Sequence, residues 1–246
     1  MSWEGFSAGP DQRPANNLLR HLSEGDFALI APHLEYGRLA SSEILYNPGD
    51  DVNIVYFPCG TSLASHVVSI EDGREVDAIL VGCEGAVGGI VGRNYLPAYS
   101  RAVVKFGGPF VRLSAEKLEA AKLRSPSLRE AFMRYATCLL AQLLQSTACN
   151  AVHSIEQRAA KWISSTMERI GGNLVPLTHE QLATMLGVGR SYASRVILVL
   201  KEEGIVETRR GAILVRNRAA LHRRSCRCDA SVAAHFDDVL NGIHPR

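Results

Sequence analysis

Leu177-Thr178-His179-Glu180-Gln181-Leu182-Ala183-Thr184-Met185-Leu186-Gly187-Val188-Gly189-Arg190-Ser191-Tyr192-Ala193-Ser194-Arg195-Val196-Ile197-Leu198-Val199-Leu200 decides how the C-terminal part of this chain folds. Thr178 through Gln181 fits the S/T-x-x-E/Q capping box, in which the Thr hydroxyl accepts from the third helical amide and Gln reaches back. Leu182, Ala183 and Leu186 then line one face of a short helix. Gly187 stands where a left-handed backbone is needed to stop it. Val188-Gly189 completes a tight turn, and Arg190 to Glu203 predicts a second helix with Ala193, Val196, Ile197 and Leu200 facing inward. Helix, glycine-containing turn and helix make a helix-turn-helix.

The residues left outward are those that reach phosphates and base edges. The candidate DNA contacts are Thr178, Arg190, Ser191, Tyr192, Ser194 and Arg195, with Arg195 the best placed for a bidentate guanine contact. Arg190 either does the same or holds a phosphate, and Tyr192 either contacts DNA or packs. Downstream, Ile205 to Thr208 and Ala212 to Val215 predict two strands about an Arg209-Arg210-Gly211 turn. Two arginines at a hairpin tip suit a wing lying along the phosphate backbone.

Charge supports this reading once it is divided. The 246 residues carry a net +2, but residues 154–228 hold 13 Lys/Arg against 6 Asp/Glu, and the remainder 14 against 19. A basic module attracts polyphosphate by releasing condensed counterions, so double-stranded DNA is the expected partner. No apolar run is long enough to span a bilayer, and Met1-Ser2-Trp3-Glu4-Gly5 lacks the basic flank and apolar stretch of a signal peptide. A cytoplasmic protein without membrane association is expected. Its six cysteines are thinly spread, which favours reduced thiols over a disulfide framework.

Upstream, residues 1–15 are Gly-, Pro- and polar-rich and are expected to be disordered. Asn16 to Leu34 reads as helical, with a second helix start at Ser23. From Glu35 to Leu113 short β-rich runs alternate with turns such as Asn47-Pro48-Gly49-Asp50 and Asp72-Gly73, which predicts an antiparallel roll or barrel. Pro126 reads as a first-turn proline, and Ser127 to Ala151 contains neither Gly nor Pro. There Leu128, Phe132, Tyr135 and Leu139 follow a heptad-like 4-3-4 spacing and are the expected homodimer interface. Met133, Leu140 and Leu144 lie on adjoining faces, so one seam against the roll and another against a partner chain would explain the breadth; a single buried helix is the alternative. The expected class is α+β: a β-roll domain over 16–126, a dimerisation helix over 127–152, a winged helix-turn-helix over 153–228 and a C-terminal tail over 229–246.

Together these residues resemble the Crp/Fnr superfamily of transcription regulators. The likeness rests on Leu177 to Arg195, on Gly204-Ile205-Val206 with Arg210 to Val215, and on Tyr46-Asn47-Pro48-Gly49-Asp50 in the β-rich region. It implies a cyclic-nucleotide-binding-like jelly roll and a homodimer on a palindromic operator, with paired recognition helices one DNA turn apart. It also implies RNA polymerase as a partner if the protein activates, and rotation of the DNA modules about a segment near Asn150 to Ser154. One departure matters. Many members carry Arg-Glu at the start of the recognition helix where this chain has Arg190-Ser191, so a carboxylate that could accept from cytosine N4 is missing.

The resemblance further implies a phosphate cassette of the form Gly-Glu-x-Gly/Ala followed by Arg-Ser/Thr-Ala. This chain offers Glu84 and Gly85 but then Ser100-Arg101-Ala102, with Ser and Arg reversed, and Arg93 as a substitute cation. A one-residue shift on a strand turns a side chain to the other face. Glu84, Gly85, Arg93, Ser100 and Arg101 are therefore the candidate effector pocket, but no cofactor is expected, cyclic AMP least of all; another nucleotide or small anion is the alternative. No cysteine precedes Cys59, and His66 and His153 are isolated, which argues against iron–sulfur or haem sensing. No metal is expected. Cys226 and Cys228 leave a redox- or metal-responsive regulator as an alternative to a flexible basic tail. A cupin-like metal enzyme would need paired histidines that the strand region lacks, and no catalytic residues are expected.

Overall fold

From Glu35 onward helical spacing gives way to short alternating runs, and most of the strands follow there. A computed structural model describes residues 3–5, 13–90 and 96–241. The elements are β1 (Glu4–Gly5), α1 (Asn17–Arg20), α2 (Glu24–Ile30), β2 (Glu35–Leu39), β3 (Ile44–Tyr46), β4 (Ile54–Pro58), β5 (Leu63–Ser69), β6 (Glu75–Val81), β7 (Arg101–Phe106) and β8 (Gly108–Ser114). They continue with α3 (Ala115–Arg124), α4 (Pro126–Val152), α5 (Ile155–Ile170), β9 (Leu174–Val175), α6 (His179–Leu186), α7 (Arg190–Glu202), β10 (Val206–Arg209), β11 (Ala212–Val215), α8 (Arg218–Arg224) and α9 (Cys228–Asn241). They fall into two units: residues up to 67, 79–141 and from 234 onward, and residues 68–78 with 142–233.

Strands β1 to β8 form two four-stranded sheets, ordered β1-β2-β8-β4 and β3-β7-β5-β6. β8 is central to its sheet, with Val111 opposite both Tyr36 and Phe57 in antiparallel register. Alternation sets the inner face: along β7, Ala102, Val104 and Phe106 are buried while Arg101, Val103 and Lys105 between them are only half-buried. Leu39, Leu45, Tyr46, Tyr56, Val81, Val87 and Phe110 complete this core. Ser23 caps α2 through the Asp26 N–H at 3.1 Å, as the second helix start predicts.

α4 begins where Ser125 Oγ accepts from the Leu128 N–H at 3.1 Å, with Pro126 in the first turn where no backbone donor is required. Ser125 and Ser127 donate to the buried Asp26 carboxylate, tying α4 to α2. The face that follows corrects the expected dimer seam. Leu128, Phe132 and Tyr135 are buried within their own chain, and Leu139 packs on the roll core. The Phe132 ring meets Phe57 edge-on at 6.4 Å. A fully buried Leu or Phe contributes on the order of 1.5–3 kcal/mol, so this face is committed to the roll. Met133, Leu140 and Leu144 are left exposed.

Two terminal expectations also change. Glu4 and Gly5, inside the segment expected to be disordered, pair with Arg38 and Gly37 of β2. Trp3 beside them lies under the Arg112 guanidinium at 4.3 Å, a cation–π contact that holds the segment on the sheet. The expected tail is α9, whose Phe236 and Leu240 are buried; Phe236 meets the Tyr135 ring edge-on at 6.3 Å. The division between units falls within α4, at 141/142, rather than at its end.

In the second unit α5 opens with a capping box of Ser154 and Gln157 and buries Ala159, Ala160, Ile163 and Met167. α6, α7 and α8 follow, with a three-stranded sheet ordered β10-β11-β9.

Candidate nucleic-acid interface

Local chemistry places the two helices of the reading head. The Thr178 hydroxyl accepts from the Gln181 N–H at 3.1 Å, and Gln181 Oε1 accepts from the Thr178 N–H at 2.9 Å, closing the predicted box. Gly187 ends α6 at φ 68°, a conformation that disfavours any residue with a side chain. Its turn is braced from α5: the buried Arg158 guanidinium donates to the Leu186 carbonyl at 2.9 Å, satisfying a helix-end acceptor that would otherwise be orphaned. Ala193, Val196, Ile197 and Leu200 are buried, as the spacing predicts, and this fixes which way α7 faces.

The outward residues then separate. Arg190, Ser191 and Arg195 are exposed. The Arg195 guanidinium stacks over the Tyr192 ring at 5.0 Å, and the Tyr192 hydroxyl donates to Glu156 at 3.4 Å. Hydrogen bonds from its own backbone N–H and from Ser154 hold the Glu156 carboxyl below the usual range, so it is an ionised acceptor for Tyr192. Tyr192 thus acts as a shelf that orients Arg195. Ser194 has a different place from the one expected: half-buried, its Oγ lies 3.0 Å from His179 Nδ1, joining α7 to α6. At the hairpin, Arg209 pairs with Glu207 at 2.7 Å, whereas Arg210 is exposed and forms no ion pair among the described residues.

Residues 157–224 match the family model of the Crp-like helix-turn-helix domain. This stretch is therefore a Crp-like helix-turn-helix domain. The fold of the chain is similar to that of solved structures: a putative Crp/Fnr-family regulator from Eubacterium rectale superposes with a TM-score of 0.68 at 17% identity, covering 84% of this chain and 96% of that one. FixK2 from Bradyrhizobium japonicum gives 0.67 at 16% identity over 78% and 98%. CLP from Xanthomonas campestris, described as a c-di-GMP-responsive global regulator, gives 0.66 at 17% over 79% and 100%. No curated protein matches by sequence. Among the described residues no helix is long and apolar enough to cross a membrane.

The loop around Glu84 and Gly85, expected from the sequence to be an effector pocket, is engaged by the protein itself. Glu84 Oε1 accepts from the Gly82 N–H at 3.0 Å, and the Gly85 carbonyl accepts from the buried Asn16 amide at 2.8 Å. Tyr135 covers Gly85 so closely that a Cβ there would collide with its ring and hydroxyl. That hydroxyl accepts from the Ala86 N–H at 2.8 Å and donates to the Ala86 carbonyl at 3.0 Å. Ser100 Oγ contacts His66 Nδ1 at 2.9 Å, and Arg101 stands on the face of β7 opposite Ala102 and Val104, as the reversed order predicts. Arg93 lies outside the described residues.

Sequence reading flagged Cys226 and Cys228 but missed what they meet. The structure brings them together with Cys149 and His153, and the four ligand atoms all lie within 4.8 Å of one another. None of the six cysteines forms a disulfide among the described residues. Burial pushes the Cys149 thiol up to about 12, against the opposing influence of the nearby Lys161 ammonium.

Proposed function

We propose that this regulator reads a palindromic duplex site as a homodimer, one α7 in each of two successive major grooves, and that its roll acts without a cyclic nucleotide. The exposed Arg190, Ser191 and Arg195 at the N-terminal end of α7 carry the reading, since this end of a recognition helix enters the groove. Arg195, held on Tyr192, is the base-reading group. Arg210 holds phosphate at the wing. Ser191 contributes a hydroxyl rather than a carboxylate, so the preferred half-site differs from one selected by Arg-Glu.

Homodimerisation is supported by the outer face of α4. Met133, Leu140 and Leu144 are 59%, 56% and 64% exposed, at spacings of seven and four. They form a stripe about 16 Å long, and a heptad-spaced apolar stripe left uncovered by its own chain suits the same stripe on a second copy. The roll's independence of cyclic nucleotide is supported by Tyr135 and Asn16, which occupy the polar groups of residues 85–86.

Selection of bound sites from random duplex DNA tests the reading. An inverted repeat is expected, with half-sites centred about 10 base pairs apart. A single asymmetric site, or affinity indifferent to salt, overturns it. Calorimetry with cyclic AMP and cyclic di-GMP is expected to show no heat of binding; micromolar binding of either overturns the second clause.

A further inference from the structure

Four residues left over from DNA recognition share one spot in the second unit. Cys149 lies in the last turn of α4 and His153 one turn further on, with the His153 N–H still donating to the Cys149 carbonyl at 3.0 Å. This i, i+4 spacing puts a thiol and an imidazole on one face of the helix end. Cys226 lies in the link between α8 and α9 and Cys228 is the first residue of α9; Arg227 between them is exposed while both cysteines are buried. Two thiols from this stretch therefore face a thiol and an imidazole from the helix end.

Two of the separations match those of a tetrahedron, and the others stay within 4.8 Å. A single zinc ion with Zn–S near 2.3 Å and Zn–N near 2.05 Å places two sulfurs about 3.8 Å apart, and a sulfur and a nitrogen about 3.6 Å apart. Cys149 Sγ and Cys226 Sγ are 3.7 Å apart, and Cys228 Sγ and His153 Nδ1 3.5 Å. A disulfide is a different geometry, with its sulfurs about 2.05 Å apart and no use for the histidine. An iron–sulfur cluster spreads its cysteine sulfurs around several metal atoms, whereas here all four ligand atoms lie within 4.8 Å of one another. Charge fits too: three thiolates and one divalent ion leave a single negative charge, and the buried Lys161 ammonium lies 3.6 Å from Cys149 Sγ.

We propose that Cys149, His153, Cys226 and Cys228 bind one tetrahedral zinc ion that pins the end of α4 to the α8–α9 link. With all four positions filled by protein, such a site is structural, with no open place for substrate. Its location gives it a consequence. Asn150, Ala151 and Val152 lie between two of the ligands, so with the ion bound this segment cannot change conformation without carrying the link with it.

The test uses the full chain, without an affinity tag of histidines, purified under reducing conditions from zinc-supplemented cells. About one zinc per chain is expected by mass spectrometry of the metal. Cobalt exchanged into the site is expected to give the intense visible bands of a tetrahedral thiolate complex. Cys226→Ser and Cys228→Ser are each expected to lose these bands, whereas Cys83→Ser, outside the cluster, keeps them. Should the serine variants fail to fold, Cys228→His, which keeps four ligands, is expected to retain cobalt with its bands moved to higher energy. Amide exchange at residues 148–156 is expected to slow at least tenfold on adding zinc to the metal-free protein. Metal well below one per chain after zinc loading, a weak octahedral cobalt spectrum, bands unchanged by Cys226→Ser, or iron with acid-labile sulfide overturns the proposal. None of these outcomes bears on the DNA selection above.

Discussion

Replacing Tyr135 by Phe removes one oxygen atom and keeps the ring. In the fully buried site that oxygen accepts from the Ala86 N–H at 2.8 Å and donates to the Ala86 carbonyl at 3.0 Å. Both backbone groups would be stranded, because the ring packed over Gly85 leaves water no way in. A hydrogen bond contributes about 1 kcal/mol net, and a buried polar group left unpaired costs about 1–3 kcal/mol. Two such groups, partly relieved by shifts of the loop, put the expected loss at about 2–4 kcal/mol. For a unit of this size that corresponds to a fall in Tm of roughly 6–16 °C. Urea unfolding followed at two protein concentrations tenfold apart is the assay, with m expected to be unchanged. If Tyr135 faced a partner subunit, the loss would instead depend on concentration. A loss under 0.5 kcal/mol (an order-of-magnitude threshold), or one that varies with concentration, refutes the placement of this face against the roll.

Other outcomes follow from the same structure. Leu140→Arg combined with Leu144→Arg, on the exposed stripe, is expected to give monomers by sedimentation while leaving the helical circular dichroism intact; persistence of the dimer places the interface elsewhere. Arg195→Ala is expected to cost about 1–3 kcal/mol on the selected site and to relax preference at one position per half-site, whereas Arg210→Ala weakens all duplexes alike and lowers the salt slope by about 1. Identical behaviour of the two variants would contradict their assigned roles. Burial holds the His66 imidazole below its usual pKa, so the folded state disfavours its proton. Stability is then complete above the unfolded value of about 6.5 and is lost as pH falls below it, by at most about 1.4 kcal/mol per pH unit. His66→Asn, which keeps a polar partner for Ser100, is expected to flatten unfolding curves between pH 7 and 5; an unchanged slope argues against the assignment.

The reading head was legible because its signals are local. A Thr178–Gln181 box, a left-handed Gly187 and four inward apolar residues on α7 each act within a turn or two of chain. α4 was harder. Phe132 and Met133 are adjacent and both apolar, and periodicity reports that a face is buried without saying by what. The bulkier Phe132 and Tyr135 went to the roll, leaving the unbranched and aliphatic Met133, Leu140 and Leu144 outside. Ser194 looks like a DNA contact in the sequence because its partner His179 lies on the preceding helix. The thiol cluster was illegible for a related reason: Cys149 and Cys226 are 77 residues apart and meet only through the packing of α5 and α8. For α9 there was a signal, Phe236 and Leu240 at i, i+4, but too short a run to stand out from a polar tail.

The docking of α9 has a consequence for how the protein is made. The unit that contains the roll is assembled from three separate lengths of chain, and its last contribution, residues 234 onward, follows the whole DNA-reading module. Phe236 is what closes over Tyr135. A nascent chain adds about 5–20 residues per second. The roll therefore waits several seconds, after its own strands have emerged, for the helix that completes its packing, while residues 142–233 form without a break. Synthesis order and folding order are inverted here: the segment translated second can be finished first, and a ribosome stalled near residue 230 would release a chain with an intact reading head and an uncovered roll.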